Sequence, residues 1–452
     1  MMRCIMNGMI LYETDSLFAW DRMEDSPSLK VIRDFFKKLP DGRLLESLFE
    51  QRGKGRNDYP VSVLWFCALL QPLLRHPTMR LTLEDLERNA DLREMGGMGR
   101  AEDVPKSHNM SRFLKVLGEE HNLIMLTEIF DAMASRLGEA VPDLGRHVSG
   151  DSTHLSARKG RSKDATKYMQ PDGGRKEYTD SEGRCVKALE WFGYKLHILC
   201  DTRHEVALAY SVTPASTHDS QPLPKLVASA EANLPAKRIE TLAYDKAVDD
   251  GNTHGMLAEK KIKPLIEIRS MWKGDSERLL EGAGIKNIVY DEAGTISCYD
   301  MTTETPVRHE MAYIGHEAKR GTLKYRCPAR HRGWTCPYDD QCNKGKSYGM
   351  TVRVKQSLDL RRFPPIPRAT KTFERLYKGR TANERVNARL KIFWGADDGN
   401  VAGGTNFLAS VGIVMLVHIG MATLLAASPR RRAGTLGQVR LSGVAKALAE
   451  SR

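Results

Sequence analysis

The chain has 452 residues, enough for two or three domains that each bury a core, and its 41 % apolar content is ordinary for a soluble protein. Against 57 Asp and Glu stand 69 Lys and Arg, a net charge of +12 that suits a polyanionic partner. Eight cysteines are too few for a disulfide scaffold and point to a reduced, cytoplasmic setting, and Asp15, Asp21, Glu24 and Asp25 stand where an export signal is apolar, so no export is expected.

Residues 28–140 are expected to form a helical domain. Asp58 and Pro60 precede the apolar run VSVLWFCALLQPLL, which Pro72 should end or kink. Thr82 and Asp85 give a Thr-x-x-Asp capping signature ahead of more helix. A glycine-rich break, GGMG at 96–99, leads to NMSRFLKVLG. Two short helices around such a break fit a DNA-reading helix-turn-helix, and they fit plain helical packing equally well.

The pattern changes near residue 147. HVSGDSTHL reads as a strand, the polar stretch over 157–184 as a mobile loop, and LEWFGYKLHILCD and EVALAYSVTP as two strands joined by a turn at 202–204. A helix over 219–233, the strand IETLAYD, a helix through MLAEKK and the strand KPLIEI follow. Three strands and then alternating helix and strand imply an α/β protein, a mixed sheet flanked by helices. This order resembles the ribonuclease H-like fold. The core is expected in two parts, 145–271 and 368–428. An insertion at 272–367 carries four of the eight cysteines, followed after the second part of the core by a basic tail at 429–452.

Two stretches allow more than one reading. Residues 407–427 hold no Lys, Arg, Asp or Glu and are long enough to span a bilayer. Ser410, Gly412, His418 and Gly420 interrupt the run, so a buried packing helix is expected and no stable membrane association. Residues 318–380 hold 17 Lys and Arg against four acids. A solvated face would explain that, but the location of the surplus next to the most periodic helix favours a nucleic-acid surface.

Cutting a phosphodiester without a covalent intermediate needs an activated water and a stabilised leaving oxygen. Two Mg²⁺ ions about 4 Å apart do both, held by hard oxygen ligands. Asp151 ends the apolar part of the first strand, in SGDSTHL, and Asp245 that of the fourth, in LAYD. Each alone is an ordinary strand-end aspartate. A third carboxylate comes from KTFERLYKGRTANERVNARLKIFW. At 100° per residue, Tyr377, Arg380, Glu384 and Lys391 share an arc of about 60° over about 21 Å of helix. Ala382, Val386, Leu390 and Phe393 fall on the opposite side. One acid among two cations and a phenol suits a phosphate backbone with metal at its centre.

The spacing Tyr377-x2-Arg380-x3-Glu384-x6-Lys391 resembles the signature of the DDE transposases of bacterial insertion sequences, in the branch named for Tyr-Arg-Glu-Lys. GDSTHL around Asp151, FGYKLHILCD and VTPASTHDS agree with it, and the resemblance covers roughly residues 55–425. It implies that Asp151, Asp245 and Glu384 hold two Mg²⁺ or Mn²⁺ ions. It further implies that Tyr377, Arg380 and Lys391 grip double-stranded transposon-end DNA, and that a homodimer synapses two ends. The family shows a glycine and an aromatic after its second aspartate. Here Asp245 is followed by Lys246, Ala247 and Val248, with Asp249 and Asp250 close by as alternatives. A catalytically dead DNA-binding descendant and a nuclease without strand transfer are the competing functions.

Cys298, Cys327, Cys336 and Cys342 lie within 45 residues, and four thiolates there would close a structural Zn²⁺ site, with His331 as a substitute ligand. Their spacing is not CxxC, so buried unpaired thiols are the alternative. His197, His218 and His418 are expected to be structural.

Overall fold

The computed structural model describes residues 26–53, 58–158, 169–180, 184–283, 286–302, 304–397, 401, 404–427, 436–437 and 440–449. Asp15, Asp21, Glu24 and Asp25, and parts of the polar stretch and of the tail, lie outside the described residues.

Seven helices come first: α1 (Pro27–Lys38), α2 (Gly42–Arg52), α3 (Val61–Leu73), α4 (Met79–Arg88), α5 (Ala90–Met95), α6 (Ser107–Leu117) and α7 (Glu120–Ala140). Then come β1 (His147–Ser156), β2 (Asp172–Thr179), β3 (Cys185–Asp201), β4 (Ala207–Pro214), α8 (Leu223–Ala232), β5 (Thr241–Tyr244), α9 (Gly251–Glu259) and β6 (Lys263–Ile266). The insertion supplies β7 (Glu277–Leu279), β8 (Ile288–Asp291), β9 (Ile296–Asp300), β10 (Val307–Glu310), β11 (Ala312–Glu317), β12 (Thr322–Arg326), α10 (Pro328–Arg332), α11 (Asp339–Asn343) and β13 (Thr351–Lys355). Four helices follow: α12 (Lys371–Tyr377), α13 (Thr381–Ala388), α14 (Gly404–Ala426) and α15 (Leu441–Ala449). Two expectations are corrected. The cap of α4 is Thr78, whose hydroxyl accepts from the Leu81 amide at 3.3 Å, and Thr82 lies inside the helix. Part of the stretch expected as a loop is β2, paired antiparallel with β3 from Asp172↔Gly193 onward.

The chain divides into two compact units. The first comprises the residues up to Gly145, Asp151–Arg238, and those from Ala382 on. In it β2, β3 and β4 pair antiparallel, and β1 is bonded to β3. Its core is built around α14, which packs against α1, α3, α6 and α7. α14 is apolar all round because helices surround it, and 83 % of its most apolar window is buried. Its glycines serve close approach: a Cβ at Gly420 would sit 2.4 Å from the Phe35 ring. The buried packing helix expected from the sequence is what the structure contains.

The second unit comprises Arg146–Gly150 and Ile239–Thr381. There the first residues of β1 run parallel to β5, with His147↔Thr241, Val148↔Leu242 and Ser149↔Ala243 in register, and β5 runs parallel to β6. Phe373 of α12 covers Ala243 and Leu265 on these strands. The insertion forms two antiparallel sheets, ordered β10-β9-β8-β7 and β11-β12-β13. Leu280, Ile288, Ile296, Met311, Leu323, Tyr325, Val352, Val354 and Phe363 make a core of their own. An insertion that looked poor in apolar residues thus has a hydrophobic reason to fold.

His418 lies inside the first unit, where its Nε2 accepts the Ala207 amide at 2.9 Å. Burial, and the charge of Arg389, push its pKa down to about 3; burial likewise takes His197 down to about 4. Both folded values lie below that of an unfolded histidine. Below about pH 6.5 the unfolded chain therefore takes up protons that the folded chain refuses, and stability is lost as pH falls. Unfolding free energy should fall between neutral pH and pH about 5, approaching about 1.4 kcal/mol per pH unit for each histidine, and thermal midpoints should fall with it. In His418→Gln, which keeps an acceptor and cannot titrate, melting curves across pH should show a shallower drop.

Candidate active site

β1 is buried through Val148, Ser149 and Gly150, then half-buried from Asp151 to His154. Burial of the apolar part fixes the strand, and Asp151 is where it emerges. The signature segment meets it there. Asn387 of α13 donates from Nδ2 to Asp151 Oδ2 at 3.3 Å, and Glu384 stands one turn earlier on the same helix. Two positions further along the strand are also fastened. Lys391 Nζ donates to the His154 carbonyl at 2.8 Å and pairs with Asp397 at 2.9 Å. Asp397 accepts from the Ser156 amide at 2.5 Å. Burial and the Lys391 charge hold His154 below the ordinary imidazole value, so its Nε2, 3.1 Å from Lys391 Nζ, is an acceptor.

The packing side of this segment is as the sequence implied. Ala382, Val386 and Leu390 are fully buried, while Phe393 is only half-buried, under the Arg75 guanidinium. Further bonds set its register. The Cys200 thiol donates to Asn383 Oδ1 at 2.8 Å, and Arg385 and Arg389 both pair with Glu205, Arg385 at 2.5 Å. The single helix expected over this segment is not uniform, however. Lys378–Arg380 tighten into a 3₁₀ turn at Gly379, and Arg389–Phe393 widen into a π turn closed by Trp394 N to Arg389 O at 3.2 Å. A constant 100° step therefore does not place all four signature residues.

Ser152, next to Asp151, donates to Asp219 Oδ2 at 2.8 Å. Asp219 pairs with Lys195 at 3.2 Å, and Lys195 also donates to the Thr217 carbonyl at 2.9 Å. His197 shares 2.8 Å with the Thr213 hydroxyl and lies 3.9 Å from Asp219. These supporting residues were missed in the sequence, although FGYKLHI and THDS both stood out there. His218 bonds the Ser220 hydroxyl at 2.8 Å in an exposed turn.

In the second unit, Asp245 follows the fully buried β5 and accepts the Ala247 amide at 2.9 Å, capping a short 3₁₀ turn. The two alternative aspartates are otherwise engaged. Asp250 caps α9 through the Thr253 amide and hydroxyl, at 2.8 and 2.9 Å. Asp249 is buried against His254 at 2.9 Å, the Arg269 amide at 2.7 Å, Arg361 at 2.7 Å and Arg368 at 3.6 Å. Burial opposes its charge, but the bonds to His254, Arg269 and Arg361 outweigh that and hold its carboxyl below the usual value. Tyr377 stacks on Phe373 with centroids 5.5 Å apart, and the Arg380 guanidinium lies 5.9 Å from its ring. Burial, with the nearby charges of Glu267 and Asp245, pushes the phenol up to about 12, so it remains a hydrogen-bond donor.

Two family models match. A Transposase DDE domain covers residues 143–418, more than half of the chain, and a Transposase domain (DUF772) covers residues 19–116. The chain belongs to the DDE transposase family. No curated protein matches it. The DDE-domain match takes in Asp151, Asp245 and Glu384, and the helical region with the mixed sheet agrees with a ribonuclease H-like core in this transposase.

The four insertion cysteines of this transposase share one neighbourhood. Asn287, beside β8, donates to Cys342 at 3.6 Å and to the Tyr299 carbonyl next to Cys298 at 2.7 Å; Asn343 donates to Cys327 at 3.7 Å. Burial and the three other thiols push Cys298 up to about 12, and burial raises Cys336 and Cys342. Among the described residues, no three His, Cys, Asp or Glu side chains are gathered closely enough to hold a metal ion.

The two aspartates near the end of β5 should separate cleanly by stability. Asp249→Ala leaves Arg361 and Arg368 buried without their carboxylate and should cost about 3–5 kcal/mol. Asp245→Ala removes one cap from a short turn and should cost about 1 kcal/mol or less. Denaturant unfolding of the two variants checks the ranking.

Proposed function

We propose that this transposase binds the terminal inverted repeats of its insertion sequence as a homodimer, cuts them in a metal-dependent reaction and joins the freed ends to target DNA in the cytoplasm. The observation that carries the reading is the bond from Asn387 to Asp151, which brings the helix of Glu384 to the emerging end of β1. The donor set fits a hard divalent cation: three carboxylates, Asp151, Asp245 and Glu384, would hold Mg²⁺ or Mn²⁺. When bound, the ions supply Lewis acidity to the attacking and leaving oxygens. The protein's part is positioning. Asn387 holds one oxygen of Asp151, Ser152 and Asp219 hold the strand behind it, and Tyr377, Arg380 and Lys391 grip the DNA backbone.

Asp151→Ala, Asp245→Ala or Glu384→Ala should each abolish Mg²⁺-dependent cleavage of the element's own ends, with end binding nearly intact. Wild-type protein that binds ends and never cuts would be the inactive DNA-binding descendant. Cutting without joining would identify the nuclease. Lys391 tests the grip: in Lys391→Ala, log affinity against log salt should become shallower by about one unit. An unchanged slope assigns Lys391 to holding β1 alone. Arg389 is no control for this, since it is tied to Glu205.

We also propose that Cys298, Cys327, Cys336 and Cys342 take up one Zn²⁺. The support is their shared neighbourhood and the chemistry of four thiols. The thiols must close up and lose protons to do so, so uptake should release acid and strengthen with pH. Protein prepared without chelator should carry about one zinc per chain, lost in Cys336→Ser; metal analysis that finds none removes zinc from the account.

A further inference from the structure

The three-stranded sheet of the insertion has two unlike faces. Leu323 and Tyr325 of β12 and Val352 and Val354 of β13 point into the hydrophobic core. Period-two alternation puts Lys324 and Arg326, and Arg353 and Lys355, on the other face. The register sets Lys324 opposite Arg353, Lys355 opposite Thr322 and Arg326 opposite Thr351. Arg353 and Lys355 are exposed, and so are Lys319 and Arg320 in the turn between β11 and β12. Of these six cations Glu317 pairs with two, Arg353 at 2.9 Å and Arg320 at 3.9 Å. Lys324 and Arg353 are like charges directly opposite each other on neighbouring strands, an arrangement unfavourable in itself. The Arg326 guanidinium lies 3.9 Å from the Tyr348 ring centroid and donates to the Tyr348 carbonyl at 2.6 Å, which holds it flat against the sheet.

We infer that this face is a contact surface for the phosphate backbone of duplex DNA, read by charge and without sequence preference. The inference rests on the transposase reading, in which the protein must hold DNA of arbitrary sequence beyond its own ends. The geometry suits that partner. Residues two apart on one strand are about 7 Å apart, so the cations on β12 and β13 form a row that can lie along the regularly repeating phosphates of one DNA strand. None of the four strand cations belongs to the signature segment, so this surface adds to the grip proposed above.

The test is binding of the full chain to a random-sequence duplex across a salt series. Lys324→Gln combined with Lys355→Gln should make the dependence of log affinity on log salt shallower by about one to two units, at about 0.9 for each phosphate no longer neutralised. The control, Lys225→Gln combined with Lys237→Gln, removes the same charge at exposed sites outside the insertion and should leave the slope unchanged. Equal slopes for the two double variants overturn the inference, because net charge would then explain binding. Acylation of the wild-type protein, read by mass spectrometry, needs no variant to fold: Lys324 and Lys355 should be protected by the duplex and Lys225 should not. Lack of protection overturns the inference as well. A wild-type protein that cuts its own ends but ignores random duplex defeats this surface alone, whereas one that neither binds nor cuts any DNA defeats the transposase reading itself.

Discussion

Asn387, Lys391 and Asp397 tie one stretch of chain to three positions along β1, and the alignment of the signature helix depends on those bonds. Each is charge-assisted or meets a backbone group with few other partners, so together they resist sliding better than apolar packing would. The opposite side of the segment is held as well, by Cys200 and Glu205, next to the buried stripe of Ala382, Val386 and Leu390. A carboxylate on this helix is fixed relative to β1 from several directions, the positioning that the proposed chemistry would need. The 3₁₀ and π turns at the ends of α13 let the chain satisfy these partners where one regular helix would not.

Charge is used in a second way within DKAVDD at 245–250. Three aspartates within this one short stretch do three different jobs, and only their partners tell them apart. Asp249 has a fully buried side chain, with Arg361 and Arg368 reaching it from the far end of the insertion. Such a cluster is costly to bury and costly to break. It fixes where the insertion leaves and re-enters the second unit, next to the turn that Asp245 caps.

Legibility in the sequence followed the range of the interactions. The ends of the buried runs at Asp151 and Asp245 and the packing stripe of α13 were readable because period and burial are local properties. The family resemblance supplied the signature. Partners lying about 100 or more residues away were not readable: neither Asp249 with Arg361 nor Lys391 with His154 leaves a trace in local pattern. β2 was missed because Gly, Lys and Asp carry low strand propensity, and pairing with β3 overrode it. The core of the insertion was not readable because it is assembled from one or two residues each of β8, β9, β12 and β13 and from the loops between strands.

The placement of α14 has a consequence for biosynthesis. Residues 404–426 are made after α1, α3, α6 and α7, yet all four helices pack against them. Synthesis runs from the N-terminus, and domains generally fold as units. The N-terminal helices therefore remain without their central partner until most of the chain has left the ribosome. A chain broken by a premature stop before α14 would leave the apolar faces of α1, α3, α6 and α7 uncovered and open to proteolysis.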